Sequence, residues 1–208
     1  MRRAYTRCVA AADDRRVAEL EFNEGSLTME KSNRSVETTT RRRSASARDA
    51  IALLKGDHKQ VTDWFAQFRK ARSSERKAKL AEKICKALKI HTRIEEEIFY
   101  PAFLVATRER EMHHEAEVEH AGAKKLITEI ESLNPQDDYY DAKVNVLAEM
   151  IKHHVKEEEK PGGMFSEARK SDMDLDDLGK RLRARKDQLE SDGEGTGERS
   201  SIMSGFNA

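Results

Sequence analysis

His91-Thr92-Arg93-Ile94-Glu95-Glu96-Glu97-Ile98-Phe99-Tyr100-Pro101 is the stretch on which the fold turns. It has a counterpart near the other end of the chain, His153-His154-Val155-Lys156-Glu157-Glu158-Glu159. Each sets a carboxylate four residues after a histidine, and on an α-helix that spacing stacks the two side chains on one face, a turn apart. In the first stretch the face is the apolar one: Ile84, Leu88, His91, Glu95, Ile98 and Ala102 recur at alternating intervals of four and three. A histidine and a glutamate therefore occupy core positions. Burying an ionised carboxylate without a partner is costly, so a cation has to meet it, and a metal ion is the simplest one.

Working outward, the same periodicity marks three more amphipathic helices. Upstream, a helix is expected from near Ser46, where Ser46 and Asp49 form a capping-box-like pair. Its stripe is Ile51, Leu54, His58, Val61, Phe65 and Phe68. Ser73-Ser74-Glu75 breaks it and starts the helix of His91 and Glu95, which Pro101 should kink or weaken. A third pattern runs from about Arg110 to Leu133 with His113, Ala116, His120, Ala123, Ile127 and Ile130 on one face, and Asn134-Pro135 ends it. A fourth, from about Asp138 to Glu159, aligns Val144, Leu147, Ile151, His154 and Glu158. Val146 and Met150 support a second line through His153 and Glu157, and periodicity alone leaves both open. Lys160-Pro161-Gly162-Gly163 stops this helix. Phe165 and the spacing of Leu175, Leu178 and Leu182 then predict a fifth helix over 172–189, docked at one end.

Short breaks between amphipathic helices predict an all-α, antiparallel up-down four-helix bundle with this additional C-terminal helix. Ligands of one site must then lie at one height. His58 lies about 15 residues before the first break, and His91 and Glu95 about 18 and 22 after it. His120 lies about 15 before Pro135, and His154 and Glu158 about 19 and 23 after it. At the helical rise these positions fall within a layer of about 12 Å. Imidazoles and carboxylates from four seams suit iron, manganese or zinc rather than calcium. Six candidates exceed one tetrahedral zinc and fit two metals bridged by carboxylates.

The bulk composition narrows the field. Of 208 residues, 37% are apolar and 38% charged, a balance that calls for a small core, long solvated helix faces and disordered ends. Lysine plus arginine equals aspartate plus glutamate, so net charge argues for neither nucleic acid nor an acidic surface as partner. Residues 1–45 read as a disordered arm, 46–190 as the domain and 191–208 as a disordered tail. No apolar run reaches the length of a membrane span or signal peptide. Two cysteines without metal-type spacing, Cys8 and Cys85, fit a reduced cytoplasmic setting. Hydrolase, kinase and thiol-redox chemistry have no motif here.

The combination of Asp57-His58, His91-Thr92-Arg93-Ile94-Glu95 running on to Pro101, Glu119-His120 and His154-Val155-Lys156-Glu157-Glu158 resembles the hemerythrin-like proteins with an HHE cation-binding domain. The resemblance covers roughly residues 46 to 190 and implies a four-helix bundle around a non-haem di-iron centre. It implies iron ligands at His58, His91, Glu95, His120, His154 and Glu158, with the two glutamates bridging, and so favours the His154/Glu158 line. The resemblance is incomplete in the third helix: oxygen carriers of the family have two histidines four apart, and this chain has Ala116 four before His120. One terminal imidazole is missing unless His113 or Glu117 substitutes. The expected ligand is a small molecule, dioxygen or nitric oxide; the rival expectation is an enzyme that decomposes peroxide or oxidises iron. A third expectation is that the metal serves stability or signals to a protein partner through the tails. Glu96, Glu97, Glu157 and Glu159 are read as solvated flank charges, some of which accept the outer N–H of a ligating imidazole. Tyr100 is read as core packing or a wall that shields the site, the alternative being a donor of a hydrogen bond to a metal-bound ligand.

Overall fold

A computed structural model describes residues 49–202, and the arm expected over 1–45 lies outside them. The described residues are helical and contain no strand. In chain order they form α1 (Ala50–Lys70), α2 (Ser74–Ile94), a π-helical turn (Glu95–Phe99), α3 (Tyr100–Thr107), α4 (Arg110–Ser132), α5 (Tyr140–Glu159), α6 (Met164–Lys170) and α7 (Leu175–Ile202). No helix among them is long and apolar enough to cross a membrane.

α1 starts three residues later than the expected Ser46. Asp49 is its N-cap, its carboxylate accepting the Ala52 N–H at 2.7 Å, because an aspartate at that position satisfies an otherwise orphaned N–H. Ser73 caps α2 in the same way. At Pro101 the α-helical ladder is interrupted, as expected of a proline that weakens a helix, and the chain continues as α3. The residues before it open into one π turn, in which the Tyr100 N–H reaches the Glu95 carbonyl five residues back. Proline lacks the N–H that would continue the α-helical ladder, and the wider turn absorbs that gap. α7 is described to Ile202, and the remainder of the tail expected over 191–208 lies outside the described residues.

α1, α2, α4 and α5 form the bundle, each packed on its neighbours, with α7 laid over α1, α2 and the π turn. The core divides in two. One apolar cluster gathers Val61, Phe65, Phe68, Ile84, Ile127 and Leu147 at the end where α1 and α4 finish and α2 and α5 begin. The other gathers Ile51, Leu54, Ile94, Phe103, Phe165 and Leu182 at the opposite end. Chain direction alternates between neighbours accordingly. Between the two clusters lies a layer of buried polar groups.

Candidate metal centre

That layer is His58, His91, Glu95, His120, His154 and Glu158, all at most 4% exposed. All six ligands that the resemblance implied lie in it. α1 supplies His58, α2 His91, the π turn Glu95, α4 His120, and α5 both His154 and Glu158. The imidazoles pair, His58 Nε2 with His91 Nε2 at 3.0 Å and His120 Nε2 with His154 Nε2 at 3.2 Å. The carboxylates lie between the pairs. Glu95 Oε2 is 3.1 Å from His91 Nε2 and 3.4 Å from His120 Nε2. Glu158 Oε2 is 3.4 Å from His58 Nε2 and 3.6 Å from His154 Nε2. His153, the alternative in α5, is 63% exposed and points away.

A second ring of carboxylates surrounds the first. His58 Nδ1–H donates to Glu159 at 2.9 Å, His120 Nδ1–H to Glu96 at 3.0 Å and His154 Nδ1–H to Glu119 at 2.8 Å. Asp57 approaches His91 Nδ1 at 3.5 Å, an ion-pair distance. Each outer acid is the chain neighbour of an inner residue: Asp57 of His58, Glu96 of Glu95, Glu119 of His120, Glu159 of Glu158. Glu96 and Glu159 thus serve the rings, whereas Glu97 pairs with Arg93 and Arg185, and Glu157 with Lys160. The roles of Asp57 and Glu119 were missed in the sequence reading, although their adjacency to His58 and His120 was a usable signal. Cations back the outer ring, with Lys55 on Glu159, Lys124 on Glu96 and Lys186 of α7 on Asp57.

This arrangement fits a metal. Carboxylates only accept hydrogen bonds, so they fix the ring protons on Nδ1 and leave lone pairs on the Nε2 atoms that face one another. Both Glu95 oxygens and Glu158 Oε2 are buried without a hydrogen-bond partner. Convergent lone pairs at these distances repel unless a cation stands among them. In the metal-free chain protons take that place. Burial works against a charge on His91, yet Glu95 and Asp57 outweigh it and raise its pKa. Burial raises Glu158, and the facing Glu95 charge raises it further. Glu95 is itself held low against its burial by His91. One carboxylate ionised and its neighbour protonated is how two like acids share a site that lacks a cation.

Three aromatic rings border the layer. Tyr100 stacks near His120, and its hydroxyl lies 3.2 Å from His120 Nε2 and donates to Glu158 Oε1 at 3.2 Å. Burial and the nearby Glu95 push its pKa well up, so it stays a donor. Tyr100 thus packs against the layer and also donates a hydrogen bond within it. Phe165 of α6 lies parallel to His58 with centroids 5.7 Å apart, and Phe99 meets Phe165 edge-on. His113 pairs with Glu117 at 3.5 Å and abuts Tyr100 from outside, so neither joins the six. A cavity of about 240 Å³ opens instead beside Ala116 and reaches His154 and Glu158.

Residues 49–161 match the model of the hemerythrin HHE cation binding domain. A solved structure, that of a hemerythrin HHE cation binding domain-containing protein from Mycobacterium kansasii (the Rv2633c homolog), is similar. It shares 25% identity at a TM-score of 0.58, covering 69% of this chain and 88% of that one. No curated protein matches the chain. The match spans more than half of the chain and contains the whole buried layer, so the chain belongs to the hemerythrin HHE cation-binding domain family and is a cation-binding protein of that fold.

Proposed function

We propose that the protein is a non-haem di-iron protein that binds dioxygen or nitric oxide for sensing, delivery or protection. One observation carries this reading: two buried imidazole pairs share two carboxylates, each carboxylate within 3.6 Å of a ring from either pair. His58 and His91 would hold one ion, His120 and His154 the other, and Glu95 and Glu158 both. Ferrous ions held there supply reducing equivalents and a coordination position for a diatomic ligand. Every other requirement falls on the chain. The outer acids keep the rings turned inward. Phe165 and Phe99 shield His58 from water, and the Tyr100 hydroxyl holds a proton beside Glu158 and His120.

Elemental analysis of the iron-loaded protein is expected to give two irons per chain. Exposure to oxygen or nitric oxide is expected to bring up charge-transfer absorption in the near-ultraviolet and visible. A single zinc and a featureless spectrum would overturn the reading. The cavity at Ala116 favours a second reading, an enzyme that decomposes peroxide or oxidises iron, because it lets a small substrate reach His154 and Glu158 and lets product leave. Sustained oxygen evolution from peroxide, lost in Glu95→Ala, would establish that reading over the first.

A further inference from the structure

The cavity beside Ala116 has an unusual rim. It lies where the first turns of α4 face the end of α5 and the turn into α6. Its floor is His154 and Glu158, and Ala116, with no side chain beyond Cβ, leaves its wall open. Four carboxylates and one ammonium stand around it, Glu111, Glu115, Glu119 and Glu157 with Lys160, whose charge also acts on Glu115, so the rim stays acidic on balance. Glu157 is paired with Lys160, and Glu119 is turned to His153 and His154. Glu111 and Glu115 are exposed and make no ion pair with any described residue. The chain as a whole carries no net charge, so the field at this mouth is set locally by these acids.

We propose that this cavity is the port to the metal centre and that its acidic rim is a charge filter, passing cations and neutral small molecules and rejecting anions. The inference rests on the di-iron reading for its purpose and adds the class of molecule that gains entry. Ferrous ions, dioxygen, nitric oxide and hydrogen peroxide meet no barrier at the rim; azide, superoxide and phosphate do. A unit charge about 8 Å from an entering ion changes its local concentration about 2.4-fold in water, so Glu111 and Glu115 together amount to about sixfold at low salt. Salt screens that difference over a similar distance.

Thiol labelling reads the port without any metal. Ala116→Cys, in a background carrying Cys8→Ser and Cys85→Ala, is treated with a cationic and an anionic methanethiosulfonate. Each rate is divided by that of the same reagent with free cysteine. The rim shifts the two reagents in opposite directions, so at low salt the cationic one is expected to react about 30-fold faster after this correction, and Glu111→Gln with Glu115→Gln should bring the ratio close to one. In iron-loaded wild-type backbone, the same two surface substitutions should speed azide binding about sixfold at low salt, the factor for a single anion, while leaving nitric oxide binding unchanged. A corrected ratio near one in the parent, or an azide rate indifferent to the two substitutions at full iron content, overturns the filter and leaves the iron centre standing. A protein that labels as expected but takes up no iron overturns the centre, and the port's purpose with it.

Discussion

Glu95 concentrates the physics of the centre in one side chain. It is fully buried, both its oxygens lack hydrogen-bond partners, and it touches a ring from each imidazole pair. Glu95→Ala is therefore expected to abolish binding of at least one metal, as measured by elemental analysis. It should also lower the metal-saturated unfolding free energy by at least about 1–3 kcal/mol, since His91 and His120 lose their shared partner. Lys79→Ala, 69% exposed and paired with Glu75 on its own helix, should leave metal content and stability unchanged. The outer acids make a separate prediction. Glu119→Gln keeps the size of the side chain but loses the charge that holds His154 Nδ1–H, and metal affinity should fall about 10- to 100-fold in competition with a chelator.

At the scale of the element, the π turn explains how three successive glutamates take three directions. Glu95 points into the centre, Glu96 reaches His120 and Lys124 of α4, and Glu97 reaches Arg185 of α7. The α5–α6 turn is the other decisive element, because it delivers Phe165 to the face of His58. It depends on two glycines for different reasons. Gly162 has φ +77°, a left-handed conformation that side chains resist. At Gly163 a Cβ would lie 2.2 Å from the Glu157 carbonyl oxygen, a backbone atom that cannot step aside. Gly162→Ala is expected to cost about 1–2 kcal/mol. Gly163→Ala should cost more and also displace α6, so that thermal melting falls further and the environment of His58 changes by NMR.

For the whole molecule, the polar layer divides the core, and the cation becomes part of the fold. A ligand that binds only the folded chain stabilises it by about 2.7 kcal/mol at a hundredfold excess over its Kd. Chelation should thus lower the melting temperature of the wild type, and that of Glu95→Ala by less, in proportion to the metal it has lost. Metal uptake should also release protons near neutral pH. The metal-free pKa values of His91, His154 and Glu158 are all raised, those of the histidines by neighbouring carboxylates against their burial and that of Glu158 by its burial and Glu95. Groups so raised hold protons that the metal must displace, so affinity rises with pH until they are deprotonated. Calorimetry in buffers of different ionisation enthalpy would show the release as a buffer-dependent heat, and a heat independent of buffer would contradict it.

Periodicity alone identified the four bundle helices and placed His58, His91, Glu95 and His120 on their inward faces, because helical spacing converts directly into shared faces and heights. Between His153/Glu157 and His154/Glu158 it was silent, since adjacent lines on one helix differ by only a 100° rotation. Packing decided that question, burying His154 and Glu158 and leaving His153 at the surface. The π turn, the outer acids on neighbouring helices, the cover of Phe165 over His58 and the cavity beside Ala116 likewise needed the tertiary structure. Local pattern tells which face of a helix is inward; which residue of another helix it meets there depends on rotation, register and the width of a single turn, and these are settled only when all the helices pack together.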